Sequence, residues 1–201
     1  MYQSMSPTIA HNSASDKDAI LFNGPIWRPD GGKRNGALEL DGINDYVSTP
    51  FILNPLERPF SIFAWVKGGG LGQVIISQTD GSGTGDTWLR SDSLHGELMT
   101  GLSSPAGRIA QPPLLSEFLI TDGEWHHVGF VWDPSYRYLY VDGVEVARDA
   151  IPLSSLEGAN GGLYFGVDST LDPTTFFTGL IGDVRIYDVA LTAEEIACLA
   201  Q

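Results

Sequence analysis

From Phe60 the chain reads Phe60-Ser61-Ile62-Phe63-Ala64-Trp65-Val66 and then meets Gly68-Gly69-Gly70. β-Branched and aromatic residues dominate the run and a glycine cluster ends it, which predicts a strand. Side chains alternate along a strand, so Phe60, Ile62, Ala64 and Val66 share one face and Ser61, Phe63 and Trp65 the other. Apolar groups on both faces predict a strand covered from both sides. Similar runs lie at 74–77, 87–90, 96–100, 125–132, 162–167 and 180–189. Tyr138–Val141 and Val144–Ala147 flank Asp142-Gly143, a pair suited to the positive φ angles of a tight hairpin turn. A Pro/Gly/Ser-rich loop is expected between Thr100 and Trp125. One helix is predicted: Thr192-Ala193-Glu194-Glu195 is a capping box, and Ile196 and Leu199 supply a short apolar stripe. Many short strands, punctuating turns and one C-terminal helix predict an all-β fold, an antiparallel β-sandwich or jelly roll.

The 201 residues suit one domain or two small ones, and no fixed-period repeat or low-complexity linker divides them. Apolar residues make up 42% against 18% charged, enough for a core. Net charge is −14. Phosphate backbones and anionic membrane surfaces repel such a chain, which argues against nucleic acid and favours cationic ligands and hard metal ions. No apolar stretch approaches the ~20 residues needed to span a bilayer. The opening residues lack the basic start and apolar run of a signal peptide. The single cysteine, Cys198, excludes an intrachain disulfide and a multi-cysteine zinc site. It falls in the predicted helix, as a small buried apolar residue.

Three segments carry a resemblance: Ala37 to Pro50 (ALELDGINDYVSTP), Asp122 to Ala147 (DGEWHHVGFVWDPSYRYLYVDGVEVA) and Phe176 to Ile196 (FFTGLIGDVRIYDVALTAEEI). In this order the chain resembles the LamG-like, concanavalin A-like jelly-roll domains of bacterial extracellular proteins. The resemblance spans nearly the whole chain, residues 1–201 as one domain of a larger protein. It implies two stacked antiparallel sheets, an extracellular or cell-surface location, and a monomeric module that binds carbohydrate or another extracellular protein.

Asp41-Gly42-Ile43-Asn44-Asp45 places three oxygen-bearing side chains in five residues around a glycine. Calcium takes six to eight oxygens and accepts such loops, although an EF-hand's closing acid is missing. The resemblance implies a structural Ca²⁺ held by this loop and an acid on the late strand. The residues so assigned are Asp41, Asn44, Asp45 and Asp183, with Asp45 acting through side chain or carbonyl. The family carries two acids before Val184; here Gly182 precedes Asp183. The competing reading is a polar turn, because Asx-Gly loops are common turns.

Sugar rings pack their CH faces on aromatic rings. Trp65, Trp125 and Trp132 lie in dense apolar strands and read as core. Trp27 and Trp88 lie in more polar surroundings and are the candidate platforms. Arg90, on the expected face of Trp88, and Tyr136 and Arg137, in a predicted loop after Pro134, are candidate ligand contacts. His126 and His127 are neighbours on a strand and point to opposite faces, so they do not share a metal.

Catalysis has little support in the pattern. Glu39-Leu40-Asp41 begins the alternating acids of a retaining glycoside hydrolase but lacks the third. A nucleophile elbow of the Gly-x-Ser-x-Gly type is also missing. The leading expectation is a non-catalytic carbohydrate-binding module with a structural calcium ion. The alternative is a structural or adhesion domain, and an enzyme comes last.

Overall fold

The computed structural model describes residues 9–14, 16–80, 85–102, 112–151 and 159–201. Among the described residues fifteen strands precede the helix. They are β1 (Ile9–Ala10), β2 (Ala19–Phe22), β3 (Ile26–Arg28), β4 (Ala37–Asp41), β5 (Tyr46–Ser48), β6 (Phe60–Gly68), β7 (Val74–Thr79) and β8 (Gly85–Ser91). They continue with β9 (Glu97–Thr100), β10 (Leu114–Leu119), β11 (Trp125–Trp132), β12 (Arg137–Val141), β13 (Val144–Asp149), β14 (Leu163–Phe165) and β15 (Thr178–Tyr187). The helix α1 spans Ala193–Leu199.

Two antiparallel sheets stack. One has the order β1-β2-β5-β14-β7-β8-β9-β10, the other β13-β12-β11-β6-β15-β4-β3. This is the β-sandwich that the alternating pattern predicts. β6 lies between β11 and β15 in the second sheet. Its Phe60, Ile62, Ala64 and Val66 enter the main core between the sheets. Its opposite face sends Phe63 into a second cluster with Val131, Tyr140 and Ile196. The helix therefore covers the outer face of the seven-stranded sheet through one buried residue, Ile196. Thr192 caps it and Glu195 reaches back to the Thr192 N–H at 2.8 Å, so the capping box forms as the sequence predicts. The helix rests against the Asp142-Gly143 turn, where both residues have positive φ (51° and 81°). A Cβ at Gly143 would press on Ala197 and Ala200.

Two parts of the pattern were less legible. β1 to β5 are two to five residues long, too short for an alternation to register. β10 falls within the stretch that reads as loop. It is an edge strand with a register shift between Leu115 and Leu119, which breaks its alternation. Cys198 is exposed, which corrects the expectation of a buried apolar role; Ile196, buried, and Leu199, half-buried, are the helix residues that pack on the sheet. Among the described residues no helix is long and apolar enough to cross a membrane.

Candidate binding cleft and acidic loop

The seven-stranded sheet has a ragged edge. The β3–β4 hairpin covers β15 only from Thr178 to Ile181. Beyond that point the gap between the sheets opens into a cleft of ≈ 980 Å³, at the top of the usual range for ligand pockets. Val47, Ile52 and Phe165 line one wall, and β15 from Ile181 onward lines the other. The segment around His11 and Lys17 closes one side. His11 Nδ1 lies 2.9 Å from Asp18, which also accepts the Asn12 N–H. That backbone donor, and then His11, hold the Asp18 carboxyl below its ordinary pKa.

Trp27 stands at the mouth. It sits opposite Leu38 in the β3–β4 pairing, on the face that lines the cleft. The ring lies against the backbone of Gly36, where any Cβ would collide with it. Packed there, Trp27 still leaves 58% of its surface open. Its aromatic ring is therefore accessible from solvent.

The other aromatic and basic candidates separate. Trp88 is 0% exposed and packs on Phe60 with ring centroids 4.9 Å apart. This corrects its assignment as a sugar platform. Irregular pairing of β7 with β8 sends both Trp88 and Leu89 into the core, so the polar neighbours on either side mislead. Arg90 donates to the carbonyls of Ser91 and Gly72 and secures a turn. Arg137 is also corrected: it is 0% exposed, forks onto Asp149 and donates to the carbonyls of Leu102 and Pro112. It begins β12 rather than lying in a loop. Tyr136 is 40% exposed, with Tyr138 beside it at 6.0 Å, far along the sheet from Trp27.

The acidic loop is a tight turn between β4 and β5. Asp41 Oδ1 accepts the N–H groups of Ile43, Asn44 and Asp45 at 2.8, 3.2 and 3.3 Å. Burial opposes ionisation of Asp41, but these donors outweigh it and lower its pKa. Asp45 is 5% exposed and accepts the Asp41 N–H at 3.2 Å. Burial, and then the Asp41 charge, raise its pKa. Neither carboxylate has an ion pair within 4.0 Å among the described residues. Two adjacent carboxylates, one of them buried, and the Asn44 amide fit a hard cation in donor type. Asp183 does not join them. Asp41 pairs with Thr178, and Asp183 lies five residues further along β15, about 17 Å away at ~3.3 Å per residue. Asp183 instead accepts the Arg185 Nε–H at 2.9 Å from a bulge with φ 46°. This corrects the expected convergence of the early loop with the late strand.

Asp92, His95 and Glu97 also gather ligand atoms within 4.8 Å. The Asp92 oxygens accept four backbone N–H groups, from Leu94 to Glu97, so this carboxylate closes a turn. The two strand histidines do diverge. His126 bridges Asp142 and Asp122 at 2.9 and 3.1 Å. His127 stacks on Phe63 with ring centroids 5.3 Å apart.

A family model described as the concanavalin A-like lectin/glucanases superfamily matches residues 41–197. Among solved structures, the chain is similar to domain 4 of AbnA, an extracellular GH43 arabinanase of Geobacillus stearothermophilus, solved with arabinotriose. The TM-score is 0.72 at 24% identity, over 94% of this chain and 91% of that one. It is also similar to the binding domain of botulinum neurotoxin serotype G (TM-score 0.63, 17% identity, 96% of this chain and 49% of that one). A third likeness is to a Trypanosoma rangeli sialidase (TM-score 0.71, 15% identity, 98% and 31%). The chain thus spans about half of the toxin domain and under a third of the sialidase. At these identities the likeness is one of fold. No curated protein sequence matches.

Proposed function

The chain belongs to the concanavalin A-like lectin/glucanase superfamily, and from that premise we propose that it is a non-catalytic carbohydrate-binding module of an extracellular protein. The observation that carries this reading is Trp27, a mostly open indole fixed on Gly36 at the mouth of a cleft. The six-membered ring is held against the Gly36 backbone, and the open surface suits the CH face of a sugar. Polar groups of the cleft wall would orient the hydroxyls. The carboxylates nearby are engaged: Asp183 with Arg185, Asp188 with Arg58, Glu39 with Arg28. That pairing supports binding over acid–base chemistry. Because the arabinanase domain of like fold was solved with arabinotriose, arabino-oligosaccharides are the first probes.

We also propose that Asp41, Asn44 and Asp45 hold a structural calcium ion. It would neutralise the paired carboxylates and stiffen the β4–β5 turn. The competing reading, a spacer or adhesion domain without a glycan ligand, predicts silence across a glycan array. Calorimetric titration with arabinotriose, followed by a wider glycan panel, separates the two. Binding that Trp27→Ala weakens supports the module, and no binding by the wild-type chain to any glycan rejects it.

A further inference from the structure

β12 turns Arg137, Leu139 and Val141 toward the other sheet, and all three are buried. Tyr138 and Tyr140 therefore point out of the sandwich, opposite Val131 and Gly129 of β11. Tyr136 precedes them, and the three rings succeed one another with centroids 6.0 and 6.4 Å apart. Coverage fades along the row. Tyr140 packs with Ile196 of the helix and is 6% exposed, Tyr138 is half-buried, and Tyr136 is 40% exposed. Packing under the helix accounts for Tyr140 but not for the open ring of Tyr136.

One carboxylate fixes the open end of this row. Asp133 Oδ1 accepts the N–H groups of Ser135 and Tyr136, both at 2.7 Å, and Oδ2 accepts the Tyr138 hydroxyl at 2.9 Å. Burial, and then that hydrogen bond, push the Tyr138 pKa up to about 12, so the phenol stays protonated. Rings held in place beforehand lower the ordering cost of a ligand. Arg148 and Glu145 of β13 stand opposite Tyr138 and Tyr140. They pair loosely at 3.5 Å, and the Arg148 side chain is 61% exposed. Charged groups thus flank the rings. A protein interface is depleted of charge at its centre, so this surface does not match one. A phosphate chain is repelled by Asp133 and Glu145. Aromatic faces beside a guanidinium and carboxylates match a neutral, hydroxyl-rich ligand, whose CH faces stack on the rings and whose hydroxyls bond to the charges.

We propose that Tyr136 and Tyr138 form a second carbohydrate platform on the outer face of the seven-stranded sheet, holding successive rings of an extended glycan with Arg148 as donor to its hydroxyls. The proposal rests on the carbohydrate reading for the class of ligand, but not for the site. β12 and β3 lie five strand spacings apart, about 24 Å at ~4.8 Å each. Trp27 faces the cleft, whereas these tyrosines face away from it. The two platforms therefore engage separate chains or distant parts of one polysaccharide.

NMR titration of the full chain, with labelled tyrosine and tryptophan rings, reads each platform separately. The probes are linear hexasaccharides of arabinan, xylan, mannan and β-glucan at millimolar concentration. The expected result is that at least one of them shifts the Tyr136 and Tyr138 ring signals saturably, and equally in the Trp27→Ala variant. Tyr136→Ala should weaken binding at this platform roughly five- to tenfold, from the open ring area lost, while the Trp27 signal responds as before. Shifts at Trp27 without shifts at Tyr136 and Tyr138 leave the cleft reading standing and overturn this one. Loss of the tyrosine shifts in Trp27→Ala, or unaltered affinity in Tyr136→Ala, also overturns it. Tyrosine signals that ignore every probe but move as the protein is concentrated assign the surface to a contact between copies and overturn it too. Silence of both platforms rejects the two readings together.

Discussion

Trp27 and Trp88 make a matched pair, because the same substitution should act on different properties. Trp27 is 58% exposed, so of an indole's ~250 Å² about 145 Å² is open. A sugar ring laid on one face covers about half of that, ~70 Å². At ~25 cal/mol per Å² this contributes about 1.8 kcal/mol. With tenfold in affinity for each ~1.4 kcal/mol, Trp27→Ala should weaken glycan binding about 20-fold. The indole area already buried on Gly36 is ~100 Å², so the loss of folding stability is at most about 2.6 kcal/mol, an upper bound. Trp88 is 0% exposed and packs on Phe60. Trp88→Ala opens a cavity and should cost about 3–5 kcal/mol. For a chain of this length that is a fall in Tm of roughly 6–20 °C. It should leave glycan affinity unchanged in the protein that remains folded. Calorimetric titration and thermal melts on both variants check the pair. Unaltered affinity in Trp27→Ala, or a 20-fold loss specific to Trp88→Ala, would refute the reasoning.

Calcium at about 100 times its Kd should stabilise the chain by about 2.7 kcal/mol. EGTA should reverse the rise in Tm and Asp45→Asn should abolish it; a Tm indifferent to calcium rejects the ion. His127 supplies an acid-sensitive step. Burial lowers its pKa from 6.5 to about 4, with Arg34 and Arg185 adding to the fall and Asp183 and Asp142 opposing it. Its folded pKa is depressed, so the neutral ring's contribution is complete above pH 6.5 and is lost as pH falls towards 4. At ~1.4 kcal/mol per unit the step is about 3 kcal/mol, and urea midpoints across that window should lose it in His127→Phe. Arg137→Ala leaves Asp149 and two carbonyls without their donor. It should cost about 3–5 kcal/mol in denaturant melts while glycan affinity is retained.

Several features could be read locally. The two-faced apolar run of β6, the Asp142-Gly143 turn and the Thr192 capping box each depend on neighbours within a few residues, so the sequence carries them complete. The same holds for the Asp41 turn, whose hydrogen bonds close within four residues. Together with the family resemblance, these local signals determined an all-β sandwich with one C-terminal helix, and they named Trp27 and the acidic loop as candidates. Burial of a particular side chain is a different kind of property. Trp88 and Arg137 look polar in context and lie in the interior, because strand pairing and a fork onto Asp149, not their chain neighbours, decide where they point. Asp183 is separated from Asp41 by the register of β15 against β4, a single offset that no run of residues encodes. The cleft arises the same way, from where one hairpin stops covering a longer strand. Hydrophobic periodicity acts over a few residues and is written along the chain; register and coverage are set by contacts far apart in sequence, and only the packed sandwich decided them.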